Sequence, residues 1–136
     1  MLSPTAATIR LFLHVLAATV WVGGQIALAG LVGTVRKQSA GAPRAVARAF
    51  ARLAWPAFGV LVITGIWNLT EIDLGNTSTA YQVTVFVKIT VAVAAAVFVL
   101  IHSLGKTKLA LALGGALGLV CSLAALYLGI LLRTGH

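Results

Sequence analysis

The sequence predicts an all-α integral-membrane protein: four helices in an up-down-up-down bundle, with both termini outside the cell. Three observations carry that expectation. Four apolar runs are each long enough to cross about 30 Å of hydrocarbon. Only 9% of the 136 residues are charged and mean hydropathy is +1.06, whereas about 25% of a soluble domain is charged. The lysines and arginines, finally, gather at the ends of the runs.

Met1–Thr8 contains the breaker Pro4 and is expected to be irregular up to a helix start. The first span, residues 9–34, includes the uncharged stretch Leu11–Val35. Arg10 before an apolar run resembles a signal peptide, but about 25 apolar residues exceed the usual 7–15 of a signal core. A span is therefore expected, with no soluble domain beside it. Arg36-Lys37-Gln38-Ser39-Ala40-Gly41-Ala42-Pro43 has the charge and turn chemistry of a loop. Arg44, Arg48 and Arg52 then recur at i, i+4, i+8 on one face of an interfacial lead-in to the second span, residues 46–69. Pro56 lies within that span and is expected to kink it.

Glu71–Thr79 holds the only two acids, Glu71 and Asp73, and reads as the second loop. The third span covers residues 81–104, Gly105-Lys106-Thr107-Lys108 makes a basic turn, and the fourth span covers residues 109–132 before Arg133-Thr134-Gly135-His136. The whole chain, residues 1–136, forms one four-span domain. The first and third loops carry Arg36, Lys37, Arg44, Arg48, Arg52, Lys106 and Lys108; the opposite side carries Arg10, Arg133 and both acids. Cytoplasmic loops of an inner-membrane protein are the basic ones, which sets the orientation. On this reading the net charge of +8 reflects topology and contact with anionic lipid, not nucleic acid. Cys121 is the only cysteine, so no intrachain disulfide forms; it is expected in the core.

Lipid is as apolar as leucine, so helices associate through close backbone approach and polar contacts. Gly114, Gly118 and Ser122 on the fourth span, Gly23 and Ala27 on the first, and Ala92, Ala94, Ala95 and Ala96 on the third are the expected packing faces. Trp67 and Tyr81 suit an outer aromatic belt and Trp55 an inner one.

An ionisable residue inside a span is a functional candidate. Arg10, His14, Trp21 and Gln25 fall along one stripe of the first span, and Thr84, Lys88, Ala95 and His102 along one stripe of the third. His14 lies about 7 Å and Lys88 about 10 Å below the outer boundary, nearly level. Thr64 and Asn68 at the end of the second span can line the same place. The expectation is a small polar pocket built on His14 and Lys88, with His14 as metal ligand. The bland alternatives are a snorkelling Lys88 and a His14 that only hydrogen-bonds a carbonyl or Asn68. His102 is expected at the membrane interface rather than as a ligand.

The pattern His14-x6-Trp21-x-Gly23-Gly24, then Thr64-Gly65-x-Trp67-Asn68, then Lys88 early in the next span resembles the copper-resistance D (CopD) family membrane domain. The resemblance covers residues 11–102. The first-span histidine and third-span lysine also resemble the four-helix HemJ-type haem proteins, whose His and Lys carry over onto His14 and Lys88. The first resemblance implies copper uptake or delivery across the inner membrane, often beside a periplasmic copper protein. The second implies haem b held by His14 and Lys88; Trp21 and Asn68, from the first pattern, are the further candidate cofactor-binding residues. Copper(I) prefers sulfur ligands, and Met1 and Cys121 are the only sulfurs; haem needs only one or two axial ligands. On the first resemblance the expected function is copper handling through the His14/Lys88 site; the alternatives are a haem b redox protein and a non-catalytic accessory subunit of a larger membrane complex such as a respiratory one. No catalytic residue is expected.

Overall fold

In the computed structural model residues 1–135 are described, and His136 lies outside them. Helix α1 spans Ala6–Gln38, α2 Ala42–Thr70, α3 Thr79–Leu104 and α4 Lys108–Thr134. A 3-10 turn at Leu74–Asn76 is the one further element among the described residues. All four helices are long and apolar enough to cross a membrane. Each also turns large apolar side chains outward: Phe12 is 62% exposed, Ile63 66%, Phe86 71% and Val120 60%. That is the reverse of a soluble fold, and the outward faces are lipid-contacting surface. The chain is a multi-pass, all-α membrane protein.

Local chemistry sets the helix ends. Thr5 caps α1 through a box in which its hydroxyl accepts from the Thr8 amide while the Thr8 hydroxyl accepts from the Thr5 amide. Regular structure therefore begins at Ala6, three residues earlier than the irregular segment Met1–Thr8 implies. Ser78 caps α3 and Thr107 caps α4 in the same way, through the amides of Tyr81 and Ala110.

The first loop is shorter than its composition suggests. Helix α1 runs through Arg36 and Lys37 to Gln38, and α2 already starts at Ala42. Two cations in the last turn of α1 complement the helix dipole, and Pro43 stands in the first turn of α2, where its missing amide costs nothing. At about 1.5 Å per residue α1 is about 50 Å long and α2 about 43 Å. Both exceed the hydrocarbon thickness, so the basic residues ride on helical extensions. Helix α2 continues unbroken through Pro56.

The chain divides into two compact units, Met1–Asp73 and Leu74–His136. In the first, α1 and α2 form an antiparallel hairpin, with Arg10 beside Glu71 at one end and Gly24 beside Phe50 towards the other. A π-turn at Thr19–Gly23 interrupts α1. It admits one extra residue and so rotates the following segment by about 100° relative to an unbroken α-helix. The rotation has visible results. Trp21 and Val22, neighbours in sequence, are both buried. A Cβ on Gly24 would run into the Phe50 ring, while one on Gly23 would meet open space. The packing face expected at Gly23 and Ala27 has moved by one residue to Gly24, and Gln25 no longer shares the His14 stripe.

In the second unit α3 and α4 are antiparallel and packed backbone to backbone. A Cβ on Gly114 would lie 2.7 Å from the His102 amide nitrogen and 2.9 Å from the Phe98 carbonyl; one on Gly118 would lie 2.9 Å from Val99 Cγ2. Ser122 continues this stripe, buried like Ala95 on α3. The small residues at every fourth position of α4 are thus the packing face of this hairpin. Cys121, expected in the core, is half-buried beside the stripe.

Gly114→Ala should therefore destabilise the purified protein in detergent by about 1–3 kcal/mol through overpacking, read as a lower thermal midpoint. Gly30→Ala, where an added Cβ meets open space, should leave the midpoint unchanged or raise it slightly.

Candidate functional site

The α1–α2 interface is a ladder of polar and aromatic contacts, its rungs one to two helical turns apart. At the first rung Arg10 Nη1 lies 3.6 Å from Glu71 Oε2, and its guanidinium stands 5.7 Å from the centre of the Trp67 ring. Arg10 is 15% exposed and Glu71 54%. One turn in, His14 Nδ1 lies 2.7 Å from Thr64 Oγ1. Below that, Trp21 meets Trp55 edge-on at 5.4 Å and Phe58 at 4.6 Å.

The His14–Thr64 contact determines a tautomer. Thr64 is 2% exposed, and its single hydroxyl proton is directed to the Val60 carbonyl at 2.6 Å. The hydroxyl oxygen can then only accept from His14, so Nδ1 carries the hydrogen and donates. In the neutral form of the ring the lone pair is then on Nε2. This is the arrangement by which metal-ligating histidines are oriented: one ring nitrogen donates to the protein and the other faces the ligand. Thr64 is suited to the task because a threonine inside a helix can bond back to the carbonyl four residues earlier. Gly65 sits against the same ring, with the position of its absent Cβ 3.9 Å from His14 Cε1.

The other expected site residues resolve separately. Asn68 is half-buried one turn beyond Thr64; Thr64 is the partner of His14 Nδ1. Trp21 is 3% exposed and packs its ring on Trp55 and Phe58. Trp55, expected at an inner aromatic belt, joins an aromatic cluster within the hairpin. Gln25 donates to the Trp21 carbonyl at 3.0 Å, within the widened turn of α1.

In the second unit, Lys88 lies over Gly129 of α4, its Nζ 3.2 Å from where a Cβ on that glycine would stand. The stem of Lys88 therefore runs along the neighbouring helix. His102 Nδ1 donates to the Leu111 carbonyl at 2.6 Å, across the tight turn that joins α3 to α4. This makes His102 a staple of the hairpin. Lys88, Ala95 and His102 do share a face, as their spacing predicts, and that face meets α4.

Three features do not follow from the sequence pattern: the π-turn, the Arg10–Trp67–Glu71 clasp and the His102 staple. The clasp was the most accessible of these, because Arg10 and the pair Trp67 and Glu71 are the polar ends of two helices joined by a short turn at their other end. Among the described residues no group of three or more His, Cys, Asp or Glu side chains is placed to hold a metal ion.

Thr64→Val removes the acceptor of His14 Nδ1 and should cost about 1 kcal/mol, seen as a lowered thermal midpoint; Thr64→Ser, which keeps the oxygen, should recover most of it. No protein-family model matches the chain, and no curated protein or solved structure matches it either.

Proposed function

We propose that this chain is a haem b-binding membrane redox protein in which Nε2 of His14 is an axial ligand. The observation that carries the reading is the Thr64 hydrogen bond, which fixes the orientation of the imidazole and, in the neutral ring, leaves the lone pair on Nε2. One oriented imidazole is enough for haem. When bound, the haem supplies one-electron chemistry. The chain's own part is to orient the ligand, through Thr64 and Gly65, and to surround it with apolar helix.

Charge supports the same choice. Arg10 is one turn, about 6 Å of helical rise, from His14. A bare copper(I) ion roughly 6–8 Å from that guanidinium would be destabilised by about 2–3 kcal/mol at an effective dielectric constant of 20, before Glu71 offsets part of this. A porphyrin brings its own negative charge.

Copper handling through His14, either uptake or delivery, is the second reading. It is favoured by the motifs around His14, Trp21 and Thr64 that resemble the copper-resistance D family, and by the affinity of imidazole for copper(II). A periplasmic copper protein would be its partner. Under either reading Lys88 is the second candidate residue from the sequence.

The reduced-minus-oxidised absorbance spectrum of protein purified in detergent separates these readings. The expected result is a Soret band that disappears in His14→Ala. Stoichiometric copper, lost in His14→Ala and with no Soret band, would overturn haem in favour of copper handling. Neither signal, with large subunits co-purifying, would leave the chain as an accessory subunit of a larger membrane complex.

A further inference from the structure

Arg10 holds more hydrogen-bonding capacity than its surroundings use. A guanidinium has five N–H donors in a rigid fork. Its Nε is buried and has no hydrogen-bond partner among the described residues. Its one ion pair, to Glu71, is 3.6 Å long, well beyond the roughly 2.7–2.9 Å of a charge-assisted hydrogen bond. Glu71 is more than half exposed and its charge is largely satisfied by solvent. Arg10 itself is 15% exposed, with its guanidinium held by the Trp67 ring. The geometry thus keeps an orientated cation at the end of α1 with donors to spare.

Its position relative to His14 matters. Both residues stand on the regular first segment of α1, Ala6–Ala18, and both face α2, Arg10 through Trp67 and Glu71 and His14 through Thr64. Four residues of α-helix put them one turn apart on one side, with Arg10 nearer the helix start. A fork-shaped cation one turn from an oriented imidazole fits a ligand with two different ends: a metal for the imidazole and an anionic group for the arginine.

We propose that Arg10 and His14 form a two-point site in which Arg10 binds a carboxylate of the metal-bearing ligand that His14 coordinates. This rests on the haem reading and specifies it: the ligand is a macrocycle with free carboxylates, oriented with those carboxylates towards the start of α1. Arginine is suited to this because its fork matches a carboxylate in bidentate fashion.

The test is a titration of the full chain, purified in detergent without ligand, with haemin and with haemin dimethyl ester, following the Soret band. In the unmodified protein haemin should bind at least tenfold more tightly than the diester. Arg10→Gln should weaken haemin about tenfold, leave the diester unchanged and so abolish the preference. Glu71→Gln distinguishes a ligand role from a purely structural clasp. It frees Arg10 from its one acid, so haemin affinity should hold or rise, whereas loss of a structural clasp would weaken binding as Arg10→Gln does. Equal affinity for haemin and diester, the result expected if Arg10 instead held a lipid phosphate, would overturn the proposal. So would haemin binding to Arg10→Gln at unmodified strength. In both cases a band that still requires His14 would leave the haem reading standing. If neither macrocycle gives a band that requires His14, the haem reading fails and the two-point site fails with it.

Discussion

Within hydrocarbon there is no water to satisfy a polar group, so each one must find its partner in the protein. The His14–Thr64–Val60 relay is where that constraint has its largest consequence. Val60 lends a carbonyl, Thr64 uses its one proton on it, and the Thr64 oxygen is left to accept from His14 Nδ1. Thr19, Thr84, Thr90 and Ser103 meet the same constraint more simply, each returning its hydroxyl proton to the carbonyl four residues earlier. Thr64 differs from them in being buried and in serving a second residue.

The two hairpins solve helix association differently. The second relies on closeness: Gly114 and Gly118 bring the α4 backbone against Phe98, Val99 and His102. His102 then closes the joined end through the Leu111 carbonyl. The first relies on side chains, an ion pair and cation–π contact at one end and an aromatic cluster further along, to which the π-turn contributes Trp21. Buried polar and aromatic groups of this kind specify register more strongly than apolar packing in lipid does, because a slip of one residue would strand them. It is consistent that the hairpin built in this way also carries the candidate ligand. π-turns often mark functional regions of helices, and here one begins five residues after His14.

The electrostatic setting narrows what His14 can serve. Within the first hairpin both acids stand at the Arg10 end, past the end of α2, and five cations ride on the helical extensions at the other end. No carboxylate lies in either membrane-crossing segment to neutralise a bare cation. A ligand that carries its own negative charge suits such a site better than an isolated metal ion.

The number of spans, their approximate limits, the basic ends and the packing role of the Gly114–Gly118–Ser122 stripe were legible in the sequence, because they depend on composition and period alone. Any 20-residue apolar run must be helical in lipid, whatever its neighbours are. The identity of His14 as the polar residue of interest was legible for the same reason. Its partner and tautomer were not: they depend on Thr64, 50 positions away, and on how its proton is spent. Nor was the shift of packing from Gly23 to Gly24. A π-turn leaves no periodic trace in a run that is apolar all round, and only the contacts of α2, with Trp55, Phe58 and Phe50 as the surface to be met, decide where the extra residue goes.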